Sequence, residues 1–285
     1  MELSIPNNCT FLDSFELLQS IKIDNYDKNE LNLFMLRINA NEFNYDLLVD
    51  NLMEPIITYS VSRKVHNDYA NKPHTLTKKA VSKFVEYYKN TGELGELLLY
   101  AFLECHLGAP KILTKLELKT STSLYVNGAD GVHFLKLPNG NYQLIFGESK
   151  THSDLGNAIS AVFKSIYEKS LISDNISKES FSEDDLKFIT DLIYPKKENE
   201  FNVDDSFGVF IGYQMDITKQ EKILPNDEFR KKIEDKIIKE IDNKIDQIKK
   251  QIINNDLTGH SFHIYILPFT NLDENRKRIL EGLTT

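Results

Sequence analysis

Two carboxylates and a lysine have the types and spacing to do chemistry. Asp130 precedes an apolar run, Val132 to Leu137, and Glu148 and Lys150 close a second one that begins near Gln143. Residues two apart in a strand share a face, so Glu148 and Lys150 point the same way. Carboxylates, a backbone carbonyl and water are the ligands that Mg²⁺ takes. A lysine beside such an ion can orient, or help deprotonate, a water attacking a phosphate that the metal polarises. On this reading Asp130 and Glu148 are the ligands, the Ser149 carbonyl assists them, and Lys150 handles the water. The plain alternative is a hairpin with an ion pair at its end.

The turn between the runs decides whether Asp130 joins the other two. A two-residue loop at Asn139-Gly140 would set Asp130 against Ser149. The stretch Leu137-Pro138-Asn139-Gly140-Asn141 suits a three-residue loop better, with Pro at i+1 of a type I turn and Gly at the left-handed bulge position. That register pairs Leu137 with Asn141 and sets Asp130 opposite Glu148. It also collects Val132, Phe134, Leu144 and Phe146 on the face of the charged cluster, leaving Gly131, His133, Gln143, Ile145 and Gly147 on the other. The acid-x-Lys spacing alone has little weight, because it recurs at Glu117/Lys119, Asp185/Lys187, Glu234/Lys236 and Asp242/Lys244. Three of these lie in polar, helical-looking sequence, where i and i+2 do not share a face. The fourth, Glu117/Lys119, has no aspartate shortly upstream.

A helix must sit beside the hairpin if it is to supply a further acid. Residues 76–88 read as one helix, Asn90-Thr91-Gly92 break it, and a second runs from about 93 to 106 and stops at Gly108. Leu94, Leu97, Leu98, Ala101 and Cys105 make its buried stripe. Glu93, Glu96 and Tyr100 share the adjoining face, so Glu96 could reach a site at the sheet edge, and a solvated glutamate favoured by the helix dipole is the competing reading. Residues 112–119 form the first strand of a meander that the hairpin completes. After it, Ser153 or Asp154 caps a helix to about Ser170, on which Lys164 and Tyr167 lie one turn apart. A solvated Lys and a half-buried Tyr suit them better than contacts to a phosphate or a base, and His152 reads as a turn histidine.

These residues resemble the PD-(D/E)xK, restriction-endonuclease-like nuclease superfamily. Asp130 stands at the motif's first aspartate, Glu148 at the second acid and Lys150 at the lysine, and Ala129 replaces the usual proline. Glu96 matches the helix glutamate that many members use. The combination Gly92-Glu93-Leu94-Gly95-Glu96, Gly128-Ala129-Asp130-Gly131 and Phe146-Gly147-Glu148-Ser149-Lys150 is similar to the HamA family, nuclease subunits of the bacterial Hachiman anti-phage system, over roughly residues 75–270. The resemblance implies an α/β fold whose core is a helix, a three-strand meander, a helix and a further strand in a mixed sheet. It also implies a Mg²⁺-dependent deoxyribonuclease (with Mn²⁺ as a substitute), more an endonuclease than an exonuclease. Asp130, Glu148, Ser149 and Glu96 would be its metal ligands, and Asp130, Glu148, Lys150 and Glu96 its catalytic set. A HamB-like helicase is the implied partner, in a heterodimer. A non-catalytic adaptor that docks a helicase is the rival reading, and RNA stays open as a substrate.

The rest of the chain sets bounds. At 285 residues it has room for one large or two modest domains, and we divide it into an N-terminal α/β extension, 1–74, and a nuclease-like domain with C-terminal helices, 75–285. No apolar stretch is long enough for a membrane span and no secretory leader is visible. Two lone cysteines, Cys9 and Cys105, suit a reducing cytoplasm and cannot build a zinc site. A net charge of −9 argues against broad, unaided affinity for a polyanion, so a nucleic acid would have to sit on residues 108–170 and avoid 179–205, or a partner would supply the basic track. Residues 108–170 hold seven lysines against five acids, a local +2, whereas 179–205 hold three against nine, a local −6. No phosphate-binding glycine loop or Gly-x-Ser-x-Gly is present, so any ATP hydrolysis belongs to a partner. Residues 1–30 show little periodicity and 31–38 read as a strand. Residues 42–60 read as a helix interrupted at Pro55, 183–194 as a helix in an acidic excursion, and 207–215 and 261–267 as strands. Residues 227–254 read as one long amphipathic helix, and 273–283 as a terminal one.

Overall fold

Seven strands form one mixed sheet in a computed structural model that describes residues 9–23, 29–87, 92–114, 129–170 and 203–284. In chain order they are β1 (Phe15–Lys22), β2 (Asn29–Leu36), β5 (Lys111–Thr114), β6 (Gly131–Lys136), β7 (Tyr142–His152), β8 (Val203–Gln214) and β9 (Ser261–Phe269). A separate two-stranded hairpin, β3 (Ile38–Asn39) and β4 (Glu42–Phe43), follows β2. The sheet order is β1-β2-β9-β8-β7-β6-β5. β5, β6 and β7 are an antiparallel meander, and β7, β8, β9 and β2 run parallel. The interior strand β8 therefore reads as a continuous apolar run, Phe207 to Tyr213, because both of its faces are covered. β1 and β2, from the N-terminal part of the chain, join this same sheet through the β2–β9 pairing.

The helices are α1 (Tyr45–Ser60), α2 (Arg63–Tyr69), α3 (Pro73–Tyr87), α4 (Glu93–Cys105), α5 (Leu155–Ser170), α6 (Lys219–Lys222), α7 (Asn226–Asp242), α8 (Ile245–Asn254) and α9 (Leu272–Gly282). The helix α4 is buried on every side from Glu93 to Glu104, not along one stripe. It is covered on one side by the sheet and on the other by α1 and the N-terminal turn, so its Phe102 meets Phe11, Phe34, Phe210 and Tyr265 with ring centroids 4.8–6.2 Å away. Two glycines let it approach the strands. A Cβ on Gly208 would stand 2.9 Å from Leu103 Cδ1, and one on Gly147 3.2 Å from Leu99 Cδ2. α5 covers the other face of the sheet, where Phe163 meets Phe262, and α8 lies against it through Gln247, which donates to Gly156 O.

Several elements differ from the sequence reading. α1 runs through Pro55 without stopping. Leu52, Ile56 and Tyr59 are fully buried on both sides of the proline, and this packing outweighs the backbone hydrogen bond that proline removes. Residues 227–254 form two helices, α7 and α8, not one. Phe229, Ile233, Ile237 and Ile241 recur at strict spacing of four, which turns about 40° per step around a helix of 3.6 residues per turn, so the stripe leaves the core after a few steps. The break at Asn243 and Lys244 resets it for Ile248 and Ile252. β1 was not foreseen, because a bulge between Leu17 and Gln19 interrupts its alternation. Cys9 and Cys105 are not lone thiols: they form a disulfide with Cα atoms 5.8 Å apart. The helix expected at 183–194, most of the acidic excursion and the end of the strand expected at 112–119 lie outside the described residues. Among the described residues no helix is long and apolar enough to cross a membrane.

Candidate active site

The β6–β7 turn takes the three-residue form. Leu137 N–H donates to Asn141 O at 2.8 Å, Gly140 N–H to Leu137 O at 3.0 Å, and Gly140 adopts φ +87°. The ladder then pairs Lys136 with Tyr142, Phe134 with Leu144 and Val132 with Phe146, the register read from the turn chemistry. At the open end Asp130 N–H donates to Gly147 O at 2.9 Å. Its Oδ2 accepts from both the Ser149 N–H and the Ser149 hydroxyl, each at 2.8 Å. Asp130 thus lies across from Glu148, bonded to the residue on either side of it.

Glu148 is only 2% exposed, and Lys150 Nζ reaches its Oε1 at 2.5 Å from a side chain that is 38% exposed. The shared face read from their spacing is therefore present as an ion pair. Gly147 packs on Leu99 and Ser149 on Gly95, so these residues face α4 and alternation turns Glu148 and Lys150 to the opposite face of β7.

On the α4 side Glu96 is buried, not solvated. It lines, with Asp130, Tyr100 and His133, a cavity of about 10 Å³, close to the room one water needs. Tyr59, fully buried at the end of α1, donates its hydroxyl to Glu96 Oε2 at 3.3 Å. Burial first, then the negative charges of Glu96, Asp130 and Glu93, hold the Tyr59 hydroxyl well above its ordinary pKa, so it stays a donor. His133 is pushed down to about 4, chiefly by burial and also by the Lys111 charge, while Ala109 O, 2.8 Å from its Nδ1, opposes the shift. A neutral ring with its proton on Nδ1 satisfies that carbonyl.

Glu93, Glu96, Asp130 and Glu148 are all buried at this end of the sheet. Buried carboxylates are costly without compensating charge or hydrogen bonds. Their oxygen-only chemistry fits a hard cation such as Mg²⁺. Among the described residues, however, no group of three or more His, Cys, Asp or Glu side chains is drawn together closely enough to hold a metal ion. The acids divide into Glu96 with Asp130 on one side and Glu148 with Lys150 on the other.

The remaining candidates are peripheral. Lys164 is exposed and pairs with Glu168 at 3.7 Å. His152 Nδ1 accepts the Asp154 N–H, and Asp154 Oδ1 caps α5 through the Asn157 N–H at 2.7 Å. Two participants were not foreseen. Tyr59 is 37 residues from Glu96 and carries no local signal. Lys111 is buried, with its Nζ donating to Thr58 O and Val61 O and its N–H to Glu104 Oε1, so it clamps the end of the helix that carries Tyr59.

The class of protein this defines is a mixed α/β protein whose multi-strand sheet is flanked by helices, consistent with the restriction-endonuclease-like fold. It matches the HamA family over residues 11–283, which is nearly the whole chain. The chain belongs to the HamA family, and this membership supports a nuclease or effector role in phage defence. No curated protein matches it.

Proposed function

We propose that this chain is a metal-dependent deoxyribonuclease, an effector of anti-phage defence that works with a helicase subunit. The observation that supports this best is the open end of the β6–β7 hairpin. There Asp130 lies across from Glu148, both carboxylates are buried, and Lys150 pairs with Glu148. Burying such acids carries a desolvation cost that pairing does not fully offset, which supports a role for them other than stability.

Asp130, Glu148, Glu96 and the Ser149 carbonyl are the residues that would hold Mg²⁺ once its binding drew the two sides together, and the ion would supply Lewis-acid polarisation of the phosphate and a more acidic water. The chain's own contribution is positional. Ser149 fixes the Asp130 carboxylate with two donors, Tyr59 orients Glu96, and Glu148 anchors the Lys150 ammonium where it can hold a water. A helicase partner would supply ATP hydrolysis, for which this chain has no phosphate-binding loop.

The test is cleavage of supercoiled and linear duplex DNA by the purified chain, with Mg²⁺ and with EDTA, beside Glu148→Ala. Metal-dependent cutting lost in the variant supports the reading. Wild-type cutting by Glu148→Ala refutes the site. If neither cuts, even with the helicase subunit added, the chain is a docking subunit and not the nuclease.

A further inference from the structure

A strongly basic groove lies on α2 and α3, apart from the acidic site. Residues 62–83 contain six Lys and Arg against a single acid, Asp68, a local +5 in a chain of net charge −9. Thr75, Lys78, Lys79, Ser82 and Lys83 recur at spacings of three and four, so α3 presents all five on one face while Leu76, Ala80 and Phe84 are buried. That face, with Ser62 of the α1–α2 connection, borders an open groove of about 610 Å³. Lys79 Nζ stands 4.8 Å over the Tyr69 ring, a contact that holds its ammonium at the groove.

We propose that this groove binds the phosphate backbone of a nucleic acid. Ammonium groups interleaved with hydroxyls are the donors that phosphate oxygens take, and they read no base sequence. A chain this acidic repels a polyanion over most of its surface, so local charge of the opposite sign decides where one can settle. On α7, Arg230 pairs with Glu16 and Glu234, and Lys236 with Glu221. The groove is also coupled to the candidate active site. Val61 on its lining is two residues from Tyr59, whose hydroxyl meets Glu96, and Phe84 of α3 packs on the Tyr59 ring at 6.3 Å. The proposal rests on the nucleic-acid reading of that site and assigns it a backbone-holding track.

The experiment measures binding of the full chain to labelled duplex DNA, single-stranded DNA and RNA by fluorescence anisotropy across a salt series, in EDTA so that nothing is cut. Lys78→Gln/Lys79→Gln/Lys83→Gln should weaken binding on the order of tenfold and lower the log–log salt slope by about one per lysine in contact. Lys231→Gln/Lys232→Gln/Lys249→Gln removes the same charge from exposed positions on α7 and α8 and should bind like the wild type. Which of the three probes binds best identifies the nucleic acid. Equal loss in both triple variants, no loss in the groove variant, or no binding of the wild type to any probe overturns the proposal. If the wild type binds through the groove yet never cleaves, the nuclease reading fails and the groove stands.

Discussion

Asp130→Asn should separate stability from activity. Asp130 is 7% exposed, and its Oδ2 accepts two hydrogen bonds of 2.8 Å from Ser149. Hydrogen bonds to a charged acceptor contribute about 1.5–3 kcal/mol each and neutral ones about 1 kcal/mol. Asparagine offers an oxygen to the same donors, so the exchange costs about 1–4 kcal/mol. Acting against this, the carboxylate carries a desolvation penalty of several kcal/mol that the amide lacks. The two contributions are of similar size, so in EDTA the variant should unfold within about 2 kcal/mol of the wild type. Nothing offsets the loss of a ligand, so Mg²⁺-dependent cleavage should fall to background. Urea unfolding with and without Mg²⁺ gives a second readout. A ligand at a hundred times its Kd stabilises the native state by about 2.7 kcal/mol, and the variant should lose that increment. The reasoning is refuted if the variant is more than about 3 kcal/mol less stable in EDTA, or if Mg²⁺ stabilises both proteins equally.

Three further outcomes can be checked. Tyr59→Phe keeps the buried ring and removes the donor to Glu96, so cleavage should need more Mg²⁺ while the unfolding midpoint moves by about 1 kcal/mol; an unchanged Mg²⁺ dependence would reject the positioning role. Burial holds His133 and His263 at about 4, below the ordinary 6.5 of the unfolded chain, so unfolding takes up protons between these values. The associated stability is complete above about pH 6.5 and is lost as pH falls toward 4, on the order of 3 kcal/mol for each ring. Urea midpoints should drop across that window and drop less in His133→Gln; a flat profile would count against the buried neutral rings. Reducing the Cys9–Cys105 disulfide, whose cysteines are 96 residues apart, should lower the unfolding free energy by about 2–5 kcal/mol, and an unchanged Tm under reductant would contradict it.

The hairpin was legible because its determinants are local. Pro138 and Gly140 select the turn, the turn sets the register, and the register places Val132 opposite Phe146 and Asp130 near Glu148. The helix ends were similarly legible where a capping residue or Gly108, with its φ of +72°, marks them. The interruption expected at Pro55 was overridden by burial before and after the proline in α1, and the long helix was broken because its spacing of four cannot keep one face inward. β1 was hidden by its bulge.

By itself the sequence determined the charged groups at the hairpin's open end and the shared face of Glu148 and Lys150. These depend on residues near one another in the chain, where geometry follows from backbone periodicity. Only the tertiary structure decided that Glu96 is buried against Tyr59 and Asp130, that Lys111 clamps the end of α1, and that Cys9 meets Cys105. It also decided that the α3 lysines line a groove. The physical reason is that each of these depends on which elements pack around α4. That packing is settled by burial summed over the whole sheet, and no local stretch encodes it.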